Sequence, residues 1–167
     1  MTFGAAMRLA QVSALACVTG ILLLVTFSNV TDYGANLVFV QHVLSMDTTF
    51  RSPSTAWRAI SSPALHHVMY VTIIVWEALA TLLCAVGVVR LARVLSGDRT
   101  AFRKAAVPAV LGLTCSNILW LGGFLGIGGE WFQMWQSSTW NGQQAATRMF
   151  LVTTLTLLLI AYDDARA

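Results

Sequence analysis

Four apolar runs set what this chain can fold into: Leu9 to Val30 (22 residues), His67 to Val89 (23), Ala105 to Ile127 (23) and Ala145 to Tyr162 (18). As helices rising about 1.5 Å per residue, they reach roughly 27 to 35 Å, matching a hydrocarbon core of about 30 Å. Composition agrees, with 10% charged and 57% hydrophobic residues against about a quarter and under half in soluble domains. The expected fold is an all-α integral membrane protein with four transmembrane helices, forming one domain over residues 1–167. Its spans are about 9–30, 67–89, 105–127 and 145–162, leaving helical connections 31–66 and 128–144 on one side and a short basic one on the other. The first run exceeds the 7 to 15 apolar residues usual in a signal peptide, and no small-residue cleavage site follows, so it reads as a retained anchor.

Orientation follows from Lys and Arg in short loops. Arg8, Arg90, Arg93, Arg99, Arg103, Lys104 and Arg166 fall on one side, and Arg51, Arg58 and Arg148 on the other. That asymmetry places both termini and the 90–104 loop in the cytoplasm. Asp163 and Asp164 lie on the same side but weigh little in the rule. The net charge of +3 is thus a topology signal and not a nucleic-acid footprint. Cys17, Cys84 and Cys115 fall one per span and read as buried structural thiols, with no metal-type spacing.

The outer connections carry most of the polar and aromatic candidates: Asp32, His42, Asp47, Arg58, His66, His67, Glu130, Trp131, Trp135 and Trp140, with Arg148 one turn into the fourth span. Tryptophan favours the headgroup zone, so GIGGEWFQMWQSSTWNGQ reads as an interfacial aromatic segment. Trp131 and Trp135, four apart, would share one face of a helical turn. Leu37 to Met46 reads as an amphipathic helix along the interface, Ser52 to Ser54 as a turn, and TAWRAISSP as a further short helix. A cation at Arg148 is costly unless it snorkels or is paired, which suggests an ion-paired cap with Asp32, Asp47 or Glu130 as partners. Three histidines raise a metal or haem site, but adjacent His66 and His67 point about 100° apart on a helix and His42 has no fixed spacing to them. No metal and no cofactor is therefore assigned.

Glu77 lies about 15 Å below the outer end of its span, near the bilayer midplane. An acidic residue there costs about 2.5 to 3.5 kcal/mol on insertion scales, so it should be protonated, paired or in a wet cavity. Asn117, on the antiparallel third span, is a candidate partner, with Thr153 and Thr154 on the fourth. Glu77 reads either as interhelical glue or as a proton or cation relay. Gly112 and Ser116, then a GxxxG pair at Gly122 and Gly126, permit close packing within the bundle or against another protein's helix. Pro108 falls in the first turn of the expected third helix, where its missing N–H costs little. No P-loop, G-x-S-x-G, H-E-x-x-H, CxxC or dinucleotide pattern is present, and no internal repeat.

Four stretches, NVTDYGANLVFVQHVLSMDTTF (Asn29 to Phe50), WRAI (Trp57 to Ile60), the pair Trp76 and Glu77, and GGEWFQMWQSSTWNGQ (Gly128 to Gln143), resemble a bacterial family of predicted small integral membrane proteins of unknown function. The resemblance implies a four-helix membrane protein and no activity. Small size, the absence of a catalytic constellation and small-residue helix faces favour a non-catalytic accessory subunit of a larger complex, such as a respiratory or photosynthetic one. The alternatives are a small transporter or channel using Glu77, and a membrane protein binding metal, haem, quinone or lipid. Expected partners are the lipid bilayer and other membrane subunits, with homo-oligomerisation compatible and nucleic acid excluded.

Overall fold

The computed structural model describes residues 1–162. Asp163, Asp164 and Arg166, used above for orientation, lie outside the described residues. Four helices are long and apolar enough to cross a membrane. Helix α1 (Phe3–Thr31) is capped by Thr2, whose hydroxyl accepts from the Ala5 amide. A single residue, Asp32, separates it from α2 (Tyr33–Ser45). Pro63 opens α3 (Pro63–Arg93), where its fixed φ suits the first turn. Helix α4 (Arg99–Asn117) starts on the Asp98 cap, which accepts from the Ala101 amide at 2.7 Å. It runs on without a break as a π-helix over Ile118–Trp131, and α5 (Gln143–Ala161) returns.

Polar caps let the helices outrun their apolar segments. Because Asp98 starts α4 at the basic segment RTAFRK, Pro108 lies in the interior of the helix and not in its first turn as expected. It removes one i→i−4 bond there.

The tightest seam joins α3 to α4. Buried Glu77, Ala80, Cys84, Gly87 and Leu91 recur every three or four residues, which puts them on one face of α3. Ala105, Ala109, Gly112 and Ser116 form the matching face of α4. A Cβ on Gly112 would lie 2.7 Å from the Cys84 nitrogen and Sγ, and one on Gly87 would lie 2.7 Å from the Ala109 Cβ. Gly112 therefore packs closely as expected, but the GxxxG pair does not. A Cβ at Gly122 meets nothing within 4 Å, and at Gly126 only the Leu121 carbonyl of its own helix at 3.4 Å. Leu15, Leu91, Leu113 and Ile160 fill the core beside this seam.

A second cluster lies at the opposite end. The apolar face of α2 (Leu37, Val40, Val43, Leu44) is buried against Tyr70 of α3 and against Phe132 and Met134. The stretch expected to lie along the interface is thus folded into the bundle. Its C-terminus is fixed by left-handed Met46 (φ 52°) and by the Ile60 amide, which donates to the Leu44 carbonyl at 2.8 Å. A turn at Ser52 to Thr55 follows as expected, but TAWRAISSP forms only one 3₁₀ turn, Ala56–Arg58.

Candidate functional site

Polar residues concentrate in two places, the bundle interior around Glu77 and the aromatic end of the bundle. Glu77 is buried, and its Oε2 accepts from Nδ2 of Asn29 in α1 at 2.7 Å. Tyr70, two turns back and also buried, donates to the Asn29 carbonyl at 3.0 Å and lies 3.3 Å from its Oδ1. Thr26 and Thr81 extend this contact, with hydroxyls 3.3 Å apart. Asn117, expected to pair with Glu77, instead accepts from the Thr153 hydroxyl at 2.6 Å and joins α4 to α5. Asn29 and Asn117 both lie in apolar spans, and hydropathy does not say which of them meets Glu77; helix rotation turns Asn29 toward it and Asn117 toward Thr153. The (i, i+7) spacing of Tyr70 and Glu77 was the one available signal for Tyr70.

Glu77 is only half satisfied. Among the described residues, no Lys or Arg lies within 4.0 Å of its carboxylate, and its Oε1 is buried without a partner. On the facing stripe of α4, Ser116 Oγ is likewise buried and unpartnered, as is Trp120 Nε1 one turn further on. Buried polar atoms are paired in the great majority of cases, so the unpartnered Glu77 and Ser116 oxygens stand out among the described residues.

At the aromatic end the two connections are joined by rings. Trp131 meets Trp57 edge-on at 5.7 Å, and Trp135 meets Phe50 edge-on at 6.0 Å. Trp140 stacks on the His42 imidazole at 4.4 Å with the planes 10° apart. The Arg58 guanidinium lies 4.7 Å over the Trp131 ring and donates to the Trp131 carbonyl at 3.2 Å. Backbone and amide contacts reinforce the rings: Gln136 accepts from the Phe50 amide at 2.9 Å, and Gln133 from the Thr55 hydroxyl at 3.0 Å.

Two expectations fail here. Trp131 and Trp135 do not share a helical face, because left-handed Gln133 (φ 54°) ends the helix between them. The acid–base cap is also absent. Among the described residues, Asp32, Asp47 and Glu130 make no ion pair with Arg148 or Arg58, both Arg148 and Glu130 are exposed, and Asp47 pairs with His42 at 2.7 Å. Exposed ion pairs contribute little, and this end is joined instead by ring contacts between side chains that stay partly exposed, Trp57 with Trp131 and Phe50 with Trp135.

The histidines occupy three separate settings. His66 is buried on the Ile60 carbonyl at 2.7 Å, His67 contacts the Tyr33 hydroxyl at 2.8 Å, and His42 lies between Asp47 and Trp140. No group of three His, Cys, Asp or Glu among the described residues is placed to hold a metal ion.

An apolar groove of about 380 Å³ opens between α2, α3 and the π-helical segment. Val40, Met69, Ile73, Trp76, Ile118 and Gly122 contribute to its lining. Trp76 is held as a fixed wall because its indole N–H donates to the Cys115 carbonyl at 2.8 Å. Gly122 forms an open part of this surface, so the half of the GxxxG pair that the bundle leaves unused faces the groove.

No curated protein and no solved structure matches the chain. The model of one family, described as "predicted small integral membrane protein (DUF2165)", matches residues 7–163. With four long apolar helices and a match over nearly its whole length, the chain belongs to this family of small multi-pass integral membrane proteins.

Proposed function

We propose that the protein is a non-catalytic accessory subunit that stabilises a larger membrane assembly by seating a transmembrane helix of another subunit in the groove between α2, α3 and the π-helical segment. One observation carries the reading. The glycine pair at 122 and 126, of the spacing that membrane helices use for close approach, has no intrachain helix against it, and Gly122 lines an apolar groove. Exposed Ile118 and Leu121 flank it with side chains suited to a helix partner. In this reading the assembly is in the bacterial inner membrane, such as a respiratory or photosynthetic complex. Both termini are cytoplasmic, which is supported by Arg8, Arg90, Arg93, Arg99, Arg103 and Lys104 clustering at one end of the bundle. Asp32, His42, Asp47, Arg58, His67, Glu130, Trp131, Trp135, Trp140 and Arg148 then belong to its outer face.

The test is co-purification. A tagged copy taken from its native membrane in mild detergent should bring stoichiometric partners, and Gly122→Leu should release them while leaving the chain folded. Isolation of one to four copies alone would refute the accessory role.

A second reading, transport, is favoured by the half-satisfied Glu77 carboxyl, whose Oε1 is buried without a partner. In liposomes it requires an ion or proton flux that Glu77→Gln abolishes, and equal flux in both proteins would exclude it.

A further inference from the structure

At the basic end of the bundle, a cavity of about 420 Å³ lies between α1, α4 and α5. Its mouth carries Arg8 of α1 and Arg99 and Arg103 of α4, and its wall carries Met7, Val107 and Leu111. Arg99 and Arg103, four apart, share one face of α4. Arg8 is fixed in place: it donates to the carbonyls of Leu95 and Gly97, and its guanidinium lies 5.2 Å over the Phe102 ring. Arg99 and Arg103 also have contacts within the chain. A guanidinium has five donors and can serve more than one acceptor, so these contacts leave each arginine able to bind an anion as well.

From Arg99 to Leu111 the cavity follows α4 for about 18 Å. That is close to the distance from a headgroup phosphate to the middle of a bilayer whose core is about 30 Å thick. Val107 and Leu111, 53% and 51% exposed, carry the apolar wall out onto the lipid-facing surface. Among the described residues, the six cations Arg8, Arg90, Arg93, Arg99, Arg103 and Lys104 gather at this end with a single carboxylate, Asp98, which caps α4; in the sequence, Asp163, Asp164 and Arg166 follow the described residues and add two acids and one base, which leaves the cations in excess. A cationic mouth above an apolar channel of one leaflet's depth fits an amphiphile with an anionic head.

We propose that this cavity is a binding site for an anionic phospholipid, with the headgroup phosphate at Arg8, Arg99 and Arg103 and one acyl chain along Met7, Val107 and Leu111. This is independent of the helix groove at the other end. The source is bilayer lipid and not free phosphate, because a free anion gains nothing from the apolar wall.

The test uses the full chain in detergent, exchanged against phosphatidylglycerol or phosphatidylcholine with identical chains, with retained lipid counted by native mass spectrometry. Three cations at a membrane surface predict a preference for phosphatidylglycerol of at least about ten-fold. The double substitution Arg99→Gln and Arg103→Gln should bring the preference within about three-fold. Lys104→Gln, an exposed charge on the same helix outside the cavity, should leave it unchanged. Val107→Trp, which fills the wall, should reduce retention of both lipids and keeps the test decisive if the arginine variant does not fold. Equal retention of the two lipids by the unaltered protein would overturn the proposal. So would loss of preference in Lys104→Gln equal to that in the arginine variant, or full displacement of bound lipid by millimolar inorganic phosphate.

Discussion

Two glycines on one continuous helix should respond oppositely to the same substitution. At Gly112 an added Cβ would sit 2.7 Å from the Cys84 nitrogen and Sγ and 2.9 Å from the Ala80 carbonyl. Ordinary contact needs about 3.5 Å, so α3 and α4 would part by several tenths of an ångström. A gap of that size forfeits a quarter or more of each dispersion contact along the tightest seam, and overpacking of this kind costs typically 1–3 kcal/mol. The favourable helix propensity of alanine offsets about 1 kcal/mol of it. Gly112→Ala should therefore lose up to about 2 kcal/mol net, a drop of up to roughly 4–8 °C in detergent thermal unfolding for a chain this size. Gly122→Ala, whose Cβ meets nothing within 4 Å, should be neutral or stabilising by up to about 1 kcal/mol. The assay is unfolding of the purified chain followed by circular dichroism or thiol exposure of Cys84, which the seam buries. Equal melting of the two variants, or greater loss at Gly122, would refute the assignment of which glycines the fold uses.

Three further outcomes follow from the site geometry. Asn29→Ala strips the one donor from Glu77 Oε2 and should cost about 1–3 kcal/mol, while adding Glu77→Met should recover most of that loss, because removing both partners of a buried bond is nearly neutral; no recovery in thermal unfolding would mean that Glu77 is held by something else. His42→Phe keeps the ring on Trp140 and removes the exposed pair with Asp47, so it should cost under about 1 kcal/mol, whereas Trp140→Ala should cost more, about 1–2 kcal/mol; the reverse order would make the ion pair the anchor. Arg58→Ala should loosen the aromatic end by about 1–2 kcal/mol and shift Trp131 emission to the red as the indole gains water, and an unchanged spectrum would contradict the stacking of the guanidinium on that ring.

The helical class and the four long apolar segments were legible because hydropathy over twenty residues averages out local detail. The sequence also located the polar position at Glu77 and the aromatic character of the end carrying Trp131, Trp135 and Trp140. Pairings were less legible. Glu77 joins Asn29 and not Asn117 because helix rotation decides which neighbour a buried carboxyl meets, and rotation is set by the Gly87 and Gly112 contacts across the seam. The GxxxG spacing is the same whether a helix in the chain or in another protein fills it, so spacing alone does not say that Gly112, and not Gly122 or Gly126, packs within the chain. Arg148 drew an ion-pair expectation from charge alone, yet it is exposed and the cap is aromatic. The π-helical geometry of Ile118–Trp131 left no legible signal, although five of its fourteen residues are glycine.

The accessory role depends on a surface that the chain does not use for itself, so the most direct measurement is the mass and composition of the particle that a tagged copy brings from its native membrane, compared with Gly122→Leu. An accessory subunit should give a discrete heavier particle with stoichiometric partners for the unaltered chain, and the folded chain without them for the variant. A lone particle of one to four copies in both cases, or the same partners retained by Gly122→Leu, would contradict it.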